Sequence, residues 1–470
     1  MPAITILHTN DIHGRIEGLA RVATLVERTR AAQPATPLLY VDAGDSEETS
    51  VRLSNLTKGT AMHHLLSAAG CAAATVGNAA PLRYGHQVLA DHAAAARYPL
   101  LLANLRLPGG APVPGVQLTH MVAAGGMRLG LLGITTDMEG EYEREFELKT
   151  PAVLPLVREL AAALRQDGAD AIVLLSHLGL AADRALAAEL QGALDVIIGA
   201  HTHDLLPSGE QIGSVLVAQA GEYAQHIGRI DLEYDGERLS VRASVLPVPG
   251  DTPPAPAVLA AAAEQEAQVA QFLSEVIGEL AAPLDFATDR ECGVGNLLAD
   301  ALRERMQADL ALVAAGQAFS MALPGGPLTR LALWDACPSS ANPAVVSLTG
   351  AQLVELLRRG LDLAFAAERP RMLRGQARGL FHLSGATFHN GQLLIGGQPV
   401  DPAREYLVAG SDWEFAHYGG YAAAEWRLQP RYDMPIILRE AIEQYLAVHR
   451  PAHVPLGRLG AAWNALDEQP

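Results

Sequence analysis

The sequence predicts a two-domain α/β protein. Three observations support this fold class: a length of 470 residues, an alternation of strand and helix patterns in the first half, and a proline-rich interval in the middle. A chain of this length exceeds what one hydrophobic core usually organises. Hydrophobic residues make up 49% of the chain and charged residues 18%, so it can bury two large cores.

In the first half, short apolar runs alternate with segments of helical periodicity. The helix near residues 151–165 begins with a proline in its first turn, where the missing N–H costs nothing. Strands alternating with helices indicate α/β layers. Strands are predicted from residue 4 and at 38–41, 71–76, 127–134, 171–175 and 196–198, with helices at 18–30, 60–69 and 151–165.

The proline-rich interval at residues 247–256 predicts a linker, because it cannot continue a helix or a central strand. We therefore expect a first domain at 1–247, a linker with a connecting helix at 248–280, and a second α/β or α+β domain at 281–470. The connecting helix is predicted at 258–280. In the second domain we predict helices at 296–306 and 350–365, a strand at 310–313, and strand-rich segments at 379–410.

The formal net charge of −18 argues against binding to nucleic acid or an anionic membrane, since both would repel the chain. A phosphorylated small molecule stays compatible, because bound divalent cations would invert the local field. The three cysteines are odd in number and far apart, which favours a reducing compartment. The sequence shows no signal-peptide pattern and no apolar run of 18 residues, so we expect a cytoplasmic protein.

Polar side chains follow the ends of five predicted strands, and these side chains are candidate metal ligands. The carboxyl ends of strands meet at one edge of an α/β sheet, so the five ends can converge. Imidazoles, carboxylates and an amide without thiolates suit Mn²⁺, Fe²⁺, Co²⁺ or Zn²⁺. Seven ligands are too many for one ion but serve two ions if one carboxylate bridges. The candidates are Asp11, His13, Asp45, Asn78, His177, His201 and His203.

The same stretches resemble the ordered motifs of the calcineurin-like metallophosphoesterases, and more narrowly those of the 5′-nucleotidase / 2′,3′-cyclic phosphodiesterase family. Further landmarks of that family's C-terminal nucleotidase domain follow, so the resemblance covers nearly the whole chain. The N-terminal motifs are Ile6-Leu7-His8-Thr9-Asn10-Asp11-Ile12-His13-Gly14, Asp42-Ala43-Gly44-Asp45, Gly77-Asn78, Leu175-Ser176-His177-Leu178-Gly179 and Gly199-Ala200-His201-Thr202-His203. The C-terminal ones are Gly295-Asn296-Leu297-Leu298-Ala299-Asp300-Ala301, Leu348-Thr349-Gly350 and Leu383-Ser384-Gly385.

The resemblance implies an N-terminal four-layer αββα sandwich and a C-terminal nucleotidase-like domain. It also implies that one metal ion is held by Asp11, His13 and His203, and that a second is held by Asn78, His177 and His201. Asp45 would bridge the two ions. In that family the ion pair shares a hydroxide nucleophile and clamps phosphate oxygens during in-line displacement.

The sequence departs from the family after Gly77-Asn78, where the family usually continues with His-Glu-Phe-Asp. Ala79 stands in place of that histidine, which serves the transition state or the leaving oxygen. Losing a positioned general acid costs about 10²–10⁴ in rate. Arg83 and His86 are candidate catalytic replacements, as are His63 and His64 on the preceding helix; solvated surface groups are the alternative reading.

The second half lacks the family's Asn-Gly-Gly-Gly-Ile-Arg and Pro-Phe-Gly-Asn segments, so the usual substrate-binding arginine and base-stacking phenylalanine are missing. The residues Trp413, Phe415, Tyr418 and Tyr421 offer a different aromatic platform, with ordinary core aromatics as the alternative. Arg374 lies in a basic interval that suits an anionic substrate, although a solvated helix face also explains part of that interval.

Two functional hypotheses follow, and a third option is a domain-rotating nucleotidase that uses a histidine from elsewhere in the fold. The first is a metal-dependent, 5′-nucleotidase-like hydrolase of phosphate esters, acting on a nucleotide or a related phosphorylated small molecule. The second is a metal-retaining pseudoenzyme that binds a nucleotide-like ligand as a sensor or partner protein. The complete ligand set favours the enzyme, whereas Ala79 favours the binder.

Overall fold

The computed structural model describes residues 2–235, 237–368, 379–416, 419–434 and 436–460. It divides into two compact units, residues 1–269 and 270–470. Both units combine helices with β-sheets, which confirms the α/β class.

The first unit contains two six-stranded sheets. In spatial order the first sheet consists of Leu239–Pro247 (β12), His226–Tyr234 (β11), Ala3–Thr9 (β1), Leu38–Asp42 (β2), Cys71–Thr75 (β3) and Leu100–Leu101 (β4). The second consists of Thr119–Ala124 (β5), Met127–Thr135 (β6), Ala171–His177 (β7), Val196–Ile198 (β8), Val215–Ala218 (β10) and Glu210–Ile212 (β9). The runs β1 to β4 and β6-β7-β8-β10 are parallel.

The two sheets pack face to face with helices on both outer sides. Successive side chains of a strand point to opposite faces, so Ile4 and Ile6 pack between the sheets while Leu7 packs under the helices. This confirms the four-layer αββα sandwich. Its helices are Ile16–Ala32 (α1), Arg52–Leu56 (α2), Thr60–Ala68 (α3), Ala79–Tyr84 (α4), Val88–Ala95 (α5), Glu141–Phe146 (α6), Val153–Gln166 (α7) and Leu180–Glu189 (α8). The next helix, Pro256–Ser274 (α9), begins in the first unit and ends in the second.

The second unit is built on a five-stranded mixed sheet of Phe381–Ser384 (β17), Leu310–Ala314 (β14), Glu405–Ser411 (β21), Pro343–Thr349 (β16) and Arg431–Tyr432 (β22). There are also two smaller sheets. One pairs Val276–Leu280 (β13) with Gly326–Thr329 (β15). The other has three strands in the order Ala386–His389 (β18), Gln392–Ile395 (β19) and Gln398–Pro399 (β20). The helices are Gly293–Met306 (α10), Ala315–Ala318 (α11), Arg330–Ala336 (α12), Gly350–Gly360 (α13), Leu363–Glu368 (α14), Asp412–Phe415 (α15) and Leu438–Val448 (α16).

Two predicted helices are shorter than the sequence pattern indicated. The predicted helix at 258–280 ends at Ser274, because the β-branched Val276 and Ile277 enter strand β13, which pairs with β15. The predicted helix at 350–365 stops at Gly360, where an added Cβ would lie 2.1 Å from the Phe381 ring, and a separate helix begins at Leu363.

None of the helices in the described ranges has the length and apolar character that crossing a bilayer requires. Cys71, Cys292 and Cys337 are buried and unpaired.

Candidate metal centre

The predicted ligands lie at the carboxyl ends of five strands, three in the first sheet and two in the second. Backbone hydrogen bonds join the first two of these ends. The N–H of Asp11 donates to the carbonyl of Gly44 (2.9 Å), and that of His13 donates to the carbonyl of Asp45 (3.0 Å). The loops after β1 and β2 therefore form one rigid edge.

One group of ligand atoms comes from Asp11, His13 and His203. The Asp11 Oδ1 atom lies 3.8 Å from His13 Nε2 and 3.4 Å from His203 Nε2. Glu222 orients the ring of His203, because its carboxylate lies 2.6 Å from Nδ1 and leaves Nε2 pointing at Asp11. The other Asp11 oxygen accepts a hydrogen bond from the Asn10 amide (2.8 Å).

A second group of ligand atoms comes from Asp11, Asp45 and His177, so Asp11 belongs to both groups. His177 Nδ1 lies 2.8 Å from the carbonyl of Ala43, which can only accept, so Nδ1 carries the proton. In the neutral form of His177, the lone pair of Nε2 therefore faces Asp45 Oδ2 at 3.3 Å and Asp11 Oδ1 at 3.9 Å.

Asn78 and His201 border these groups. The backbone N–H of Ala79, next to Asn78, donates to Asp45 Oδ1 at 2.8 Å. The Asn78 Oδ1 atom is buried and has no hydrogen-bond partner in the described part of the chain. The backbone N–H of His201 donates to Asp11 Oδ2 (3.0 Å), and its ring centre lies 5.3 Å from that of His177. Both residues therefore stand beside the shared carboxylates.

The site contains buried polar atoms whose partners within the described residues are missing. They are Asp11 Oδ1, His13 Nδ1, Asn78 Oδ1 and His177 Nε2. An unsatisfied buried polar atom costs about 1–3 kcal/mol. Divalent cations of the Mn²⁺, Fe²⁺, Co²⁺ or Zn²⁺ type would satisfy such oxygen and nitrogen donors, so the residues present fit a cation pair.

The backbone at the site is strained at five of the seven candidate ligands. A positive φ is uncommon for residues other than glycine and costs about 1–3 kcal/mol. Strain of this kind persists only where surrounding contacts hold it, and it concentrates at functional sites. The φ angles are 50° at Asp11, 45° at His13, 52° at Asp45, 76° at His201 and 60° at His203.

Asp45 and His177 shift each other's ionisation. Burial by itself would raise the pKa of Asp45, but the charge of the nearby His177 holds that pKa below its usual range. Burial likewise opposes protonation of His177, yet Asp45 raises the pKa of His177 to about 9. A divalent cation would take the place of the proton between them, so cation affinity should fall as the pH falls.

Comparison with known proteins identifies the family. The family model of the calcineurin-like phosphoesterases matches residues 4–205, and that of the 5′-nucleotidase C-terminal domain matches residues 276–425. The chain belongs to the calcineurin-like phosphoesterases that carry a 5′-nucleotidase C-terminal domain. It is thus a phosphoric ester hydrolase by class.

Relatives match this phosphoesterase over most of its length. The metallophosphoesterase YunD of Bacillus subtilis (strain 168) is 28% identical over 465 residues, covering 94% of this chain and 99% of YunD. The 5′-nucleotidase of Diplobatis ommata is 26% identical over 348 residues, covering 64% of this chain and 58% of that protein. The crystal structure of a 5′-nucleotidase precursor from Thermus thermophilus shares the fold, with a TM-score of 0.58, 22% identity and coverage of 97% and 99%.

The candidate replacements for the missing histidine lie on and after helix α4 of the phosphoesterase. Arg83 is half-buried, and its guanidinium lies 5.2 Å from the centre of the Tyr84 ring. His86 follows the end of α4, and partial burial lowers its pKa. On helix α3, His63 is buried against Glu47, whereas His64 is exposed. The catalytic roles of Arg83 and His86 stay predictions.

The predicted substrate contacts of the nucleotidase C-terminal domain fall into three groups. Trp413 is half-buried on α15. Phe415 and Tyr421 are each 2% exposed in one hydrophobic cluster, which is the placement of core aromatics. Tyr418 and Arg374 lie outside the described residues.

Glu222, which holds the ring of His203, is not among the residues predicted from sequence. Glu222 follows strand β10, which is parallel to β8. The rule that ligands gather at the carboxyl ends of parallel strands would therefore have found this residue if β10 had been predicted.

Proposed function

We propose that this protein is a metal-dependent, 5′-nucleotidase-like hydrolase acting on a nucleotide or a related phosphorylated small molecule. One divalent cation would be held by Asp11, His13 and His203. A second would be held by Asn78, His177 and His201, with Asp45 shared between them.

The observation that carries the proposal is the pair of ligand-atom groups joined through one buried carboxylate. Asp11 contributes to both groups, and Asp45 Oδ2 lies 3.3 Å from His177 Nε2. A pair of divalent cations bound here supplies charge neutralisation for phosphate oxygens and activation of water. A site for one structural ion would need only three or four of these seven side chains.

The remaining chemistry belongs to the chain's own residues. The Asn78 amide offers an N–H donor beside Asp45, where it can hydrogen-bond to a phosphate oxygen. Because Ala79 has no ionisable side chain, protonation of the leaving oxygen falls to His86 or to water, with Arg83 neutralising charge. We therefore expect a preference for substrates whose leaving group is acidic, such as aryl phosphates or diphosphates.

The proposal also includes a substrate contact in the C-terminal domain and a cytoplasmic location. We propose Trp413 as a contact for the non-reacting part of the substrate, since it is the half-buried aromatic of the predicted platform. The buried, unpaired cysteines support a reducing, cytoplasmic environment.

The second candidate function is a pseudoenzyme that binds metal and a nucleotide-like ligand without hydrolysing it. Ala79 favours this alternative, because it contributes to the site only a backbone N–H, 2.8 Å from Asp45 Oδ1.

Hydrolysis of p-nitrophenyl phosphate and bis-p-nitrophenyl phosphate with Mn²⁺ separates the two functions, and a panel of nucleoside monophosphates and diphosphates then tests the substrate class. The parent should hydrolyse at least one aryl substrate, and Asp45→Ala should lower kcat/KM by at least about 10²-fold. Asp167→Ala is the matched control, because Asp167 is exposed at the end of α7. A parent without activity, or an Asp45→Ala variant as active as the parent, rejects the enzyme and leaves the binder.

A further inference from the structure

A second cluster of possible metal ligands is formed between helices α3 and α5 and the loop that carries Asp45. It consists of Glu47, His63 and His92, which are only 7%, 4% and 1% exposed. Glu47 belongs to the same loop as Asp45, whereas the histidines come from helices α3 and α5. None of them belongs to the ligand set proposed above.

The three side chains converge on one carboxylate oxygen. The Glu47 Oε1 atom lies 2.7 Å from His63 Nε2 and 3.7 Å from His92 Nδ1. The centres of the two imidazole rings are 4.4 Å apart. Despite its short distance to Glu47, His63 Nε2 lacks a hydrogen bond of acceptable geometry in the described structure.

The outer nitrogen of each ring is held by a fixed partner. His92 Nε2 lies 2.7 Å from the carbonyl of Lys58, and His63 Nδ1 lies 2.8 Å from the hydroxyl of Tyr98. A carbonyl only accepts hydrogen bonds, so the proton of a neutral His92 sits on Nε2. Its Nδ1 lone pair then faces the Glu47 carboxylate across 3.7 Å. A lone pair and an anion repel each other, and a cation bound between them would relieve that repulsion.

The fold leaves room for this cation. A cavity of about 10 Å³ is lined by the cluster together with Gly44 and Asp45. Gly59 packs against the cluster with a φ of +91°, and a Cβ there would lie 2.7 Å from Glu47 Cγ and 2.9 Å from His92 Nε2. A volume of this size matches one water-sized particle.

We propose that Glu47, His63 and His92 bind a third divalent cation, for which Zn²⁺ fits best. Two imidazoles and one carboxylate with a fourth position for water are a common tetrahedral zinc set. With bonds of about 2.0–2.2 Å, tetrahedral donors lie about 3.3–3.5 Å apart. The observed separations of 2.7 and 3.7 Å bracket that range, so changes of about 0.6–0.8 Å in the first and about 0.2–0.4 Å in the second complete the site.

The ion would act by holding the loop that carries Asp45 in place. Because Glu47 lies two residues after Asp45, an ion that ties Glu47 to helices α3 and α5 fixes the loop that presents Asp45. In metal sites, the ring nitrogen of a histidine that does not bind the ion is usually held by a hydrogen bond, which orients the ring. Lys58 and Tyr98 make such contacts here.

The direct test is a crystal of the full chain grown with Zn²⁺ and an anomalous difference map at the zinc absorption edge. We expect a peak bonded to Glu47 Oε1, His63 Nε2 and His92 Nδ1, whatever the map shows around Asp11. No peak at the cluster overturns the proposal. The absence of both metal ions around Asp11 would instead count against the proposed hydrolase, so the two failures are distinguishable.

Zinc content after dialysis against buffered Zn²⁺ gives an independent reading. Glu47→Gln preserves the side-chain size but removes the anionic ligand, and it should lose about one Zn²⁺ per chain relative to the parent. His64→Ala is the matched control, because His64 is exposed on the same helix as His63, and it should retain the parent content. Equal zinc content in Glu47→Gln and the parent rejects the site.

Discussion

Replacing Gly77 with alanine tests whether the position of Asp45 controls catalysis. An added Cβ at Gly77 would lie 1.9 Å from Asp45 Oδ1 and 2.4 Å from its backbone nitrogen. Real Cβ contacts begin at about 3.0 Å, so the Asp45 carboxylate must move by about 1 Å. The backbone of Gly77 has no positive φ, so the contact with Asp45 is the expected source of the damage.

The magnitude follows from that displacement. A misplacement of about 1 Å at a catalytic group costs about 10²-fold in rate, which corresponds to about 2.7 kcal/mol of barrier. We therefore expect Gly77→Ala to lower kcat/KM for bis-p-nitrophenyl phosphate by about 10²-fold in Mn²⁺. Gly109→Ala is the matched control, because no heavy atom lies within 4 Å of an added Cβ at Gly109.

A double variant shows whether the two residues act through one interaction. If Gly77→Ala acts by displacing Asp45, then Gly77→Ala combined with Asp45→Ala should be no slower than Asp45→Ala alone. A Gly77→Ala enzyme within threefold of the parent would show that Asp45 need not occupy its observed position. Additive losses in the double variant would show that Gly77 acts through another group.

Three further predictions concern other parts of the chain. Glu222→Gln should weaken Mn²⁺ activation about 10–100-fold, because the carboxylate that orients His203 loses its charge; an unchanged Mn²⁺ titration of activity would contradict this. Ala79→His should raise kcat more on a nucleoside monophosphate than on p-nitrophenyl phosphate, since the poorer leaving group needs the acid; an unchanged ratio would mean that another group already supplies the proton. Burial lowers the pKa of His382 to about 4. As the pH falls, His382 therefore takes up a proton in the unfolded chain before it does so in the folded one. We expect the free energy of unfolding of the second unit to decrease by up to about 3 kcal/mol between pH 6.5 and pH 4. Urea unfolding followed by tryptophan fluorescence measures that loss, because all four tryptophans lie beyond residue 330, and His382→Gln should reduce the pH dependence.

The parts of the fold that sequence predicted well are those with local signals. The apolar run before Asp11 and the Gly-Asn turn at Asn78 each mark a strand end within a few residues. Parallel strands bring such ends to one edge of a sheet, so the sequence alone predicts that the candidate ligands lie close together. The seven candidates therefore came from short-range pattern plus one topological rule.

The parts that sequence did not predict depend on tertiary packing. Glu47, His63 and His92 meet because helices α3 and α5 pack side by side, and a separation of 29 residues between the histidines carries no periodic signal. In the same way, the helix predicted through Leu280 gave way to a strand because β15 offered hydrogen bonds to β13. Pairing with a distant segment outweighed the local helical pattern.

The strained loop after β2 shows why the two clusters belong together. Asp45 has a φ of 52°, a conformation that costs about 1–3 kcal/mol and that its own sequence does not favour. The His13 N–H bonds to its carbonyl and the Ala79 N–H bonds to its carboxylate, but both of these contacts act on the side that faces the proposed catalytic ions. Glu47 ties the same loop to helices α3 and α5, through His63 and His92. With the proposed ion bound, the loop is held at Glu47 as well as at Asp45, so we expect the Asp45 carboxylate to stay in place when substrate binds; without that ion, the loop is freer to relax from the strained angle.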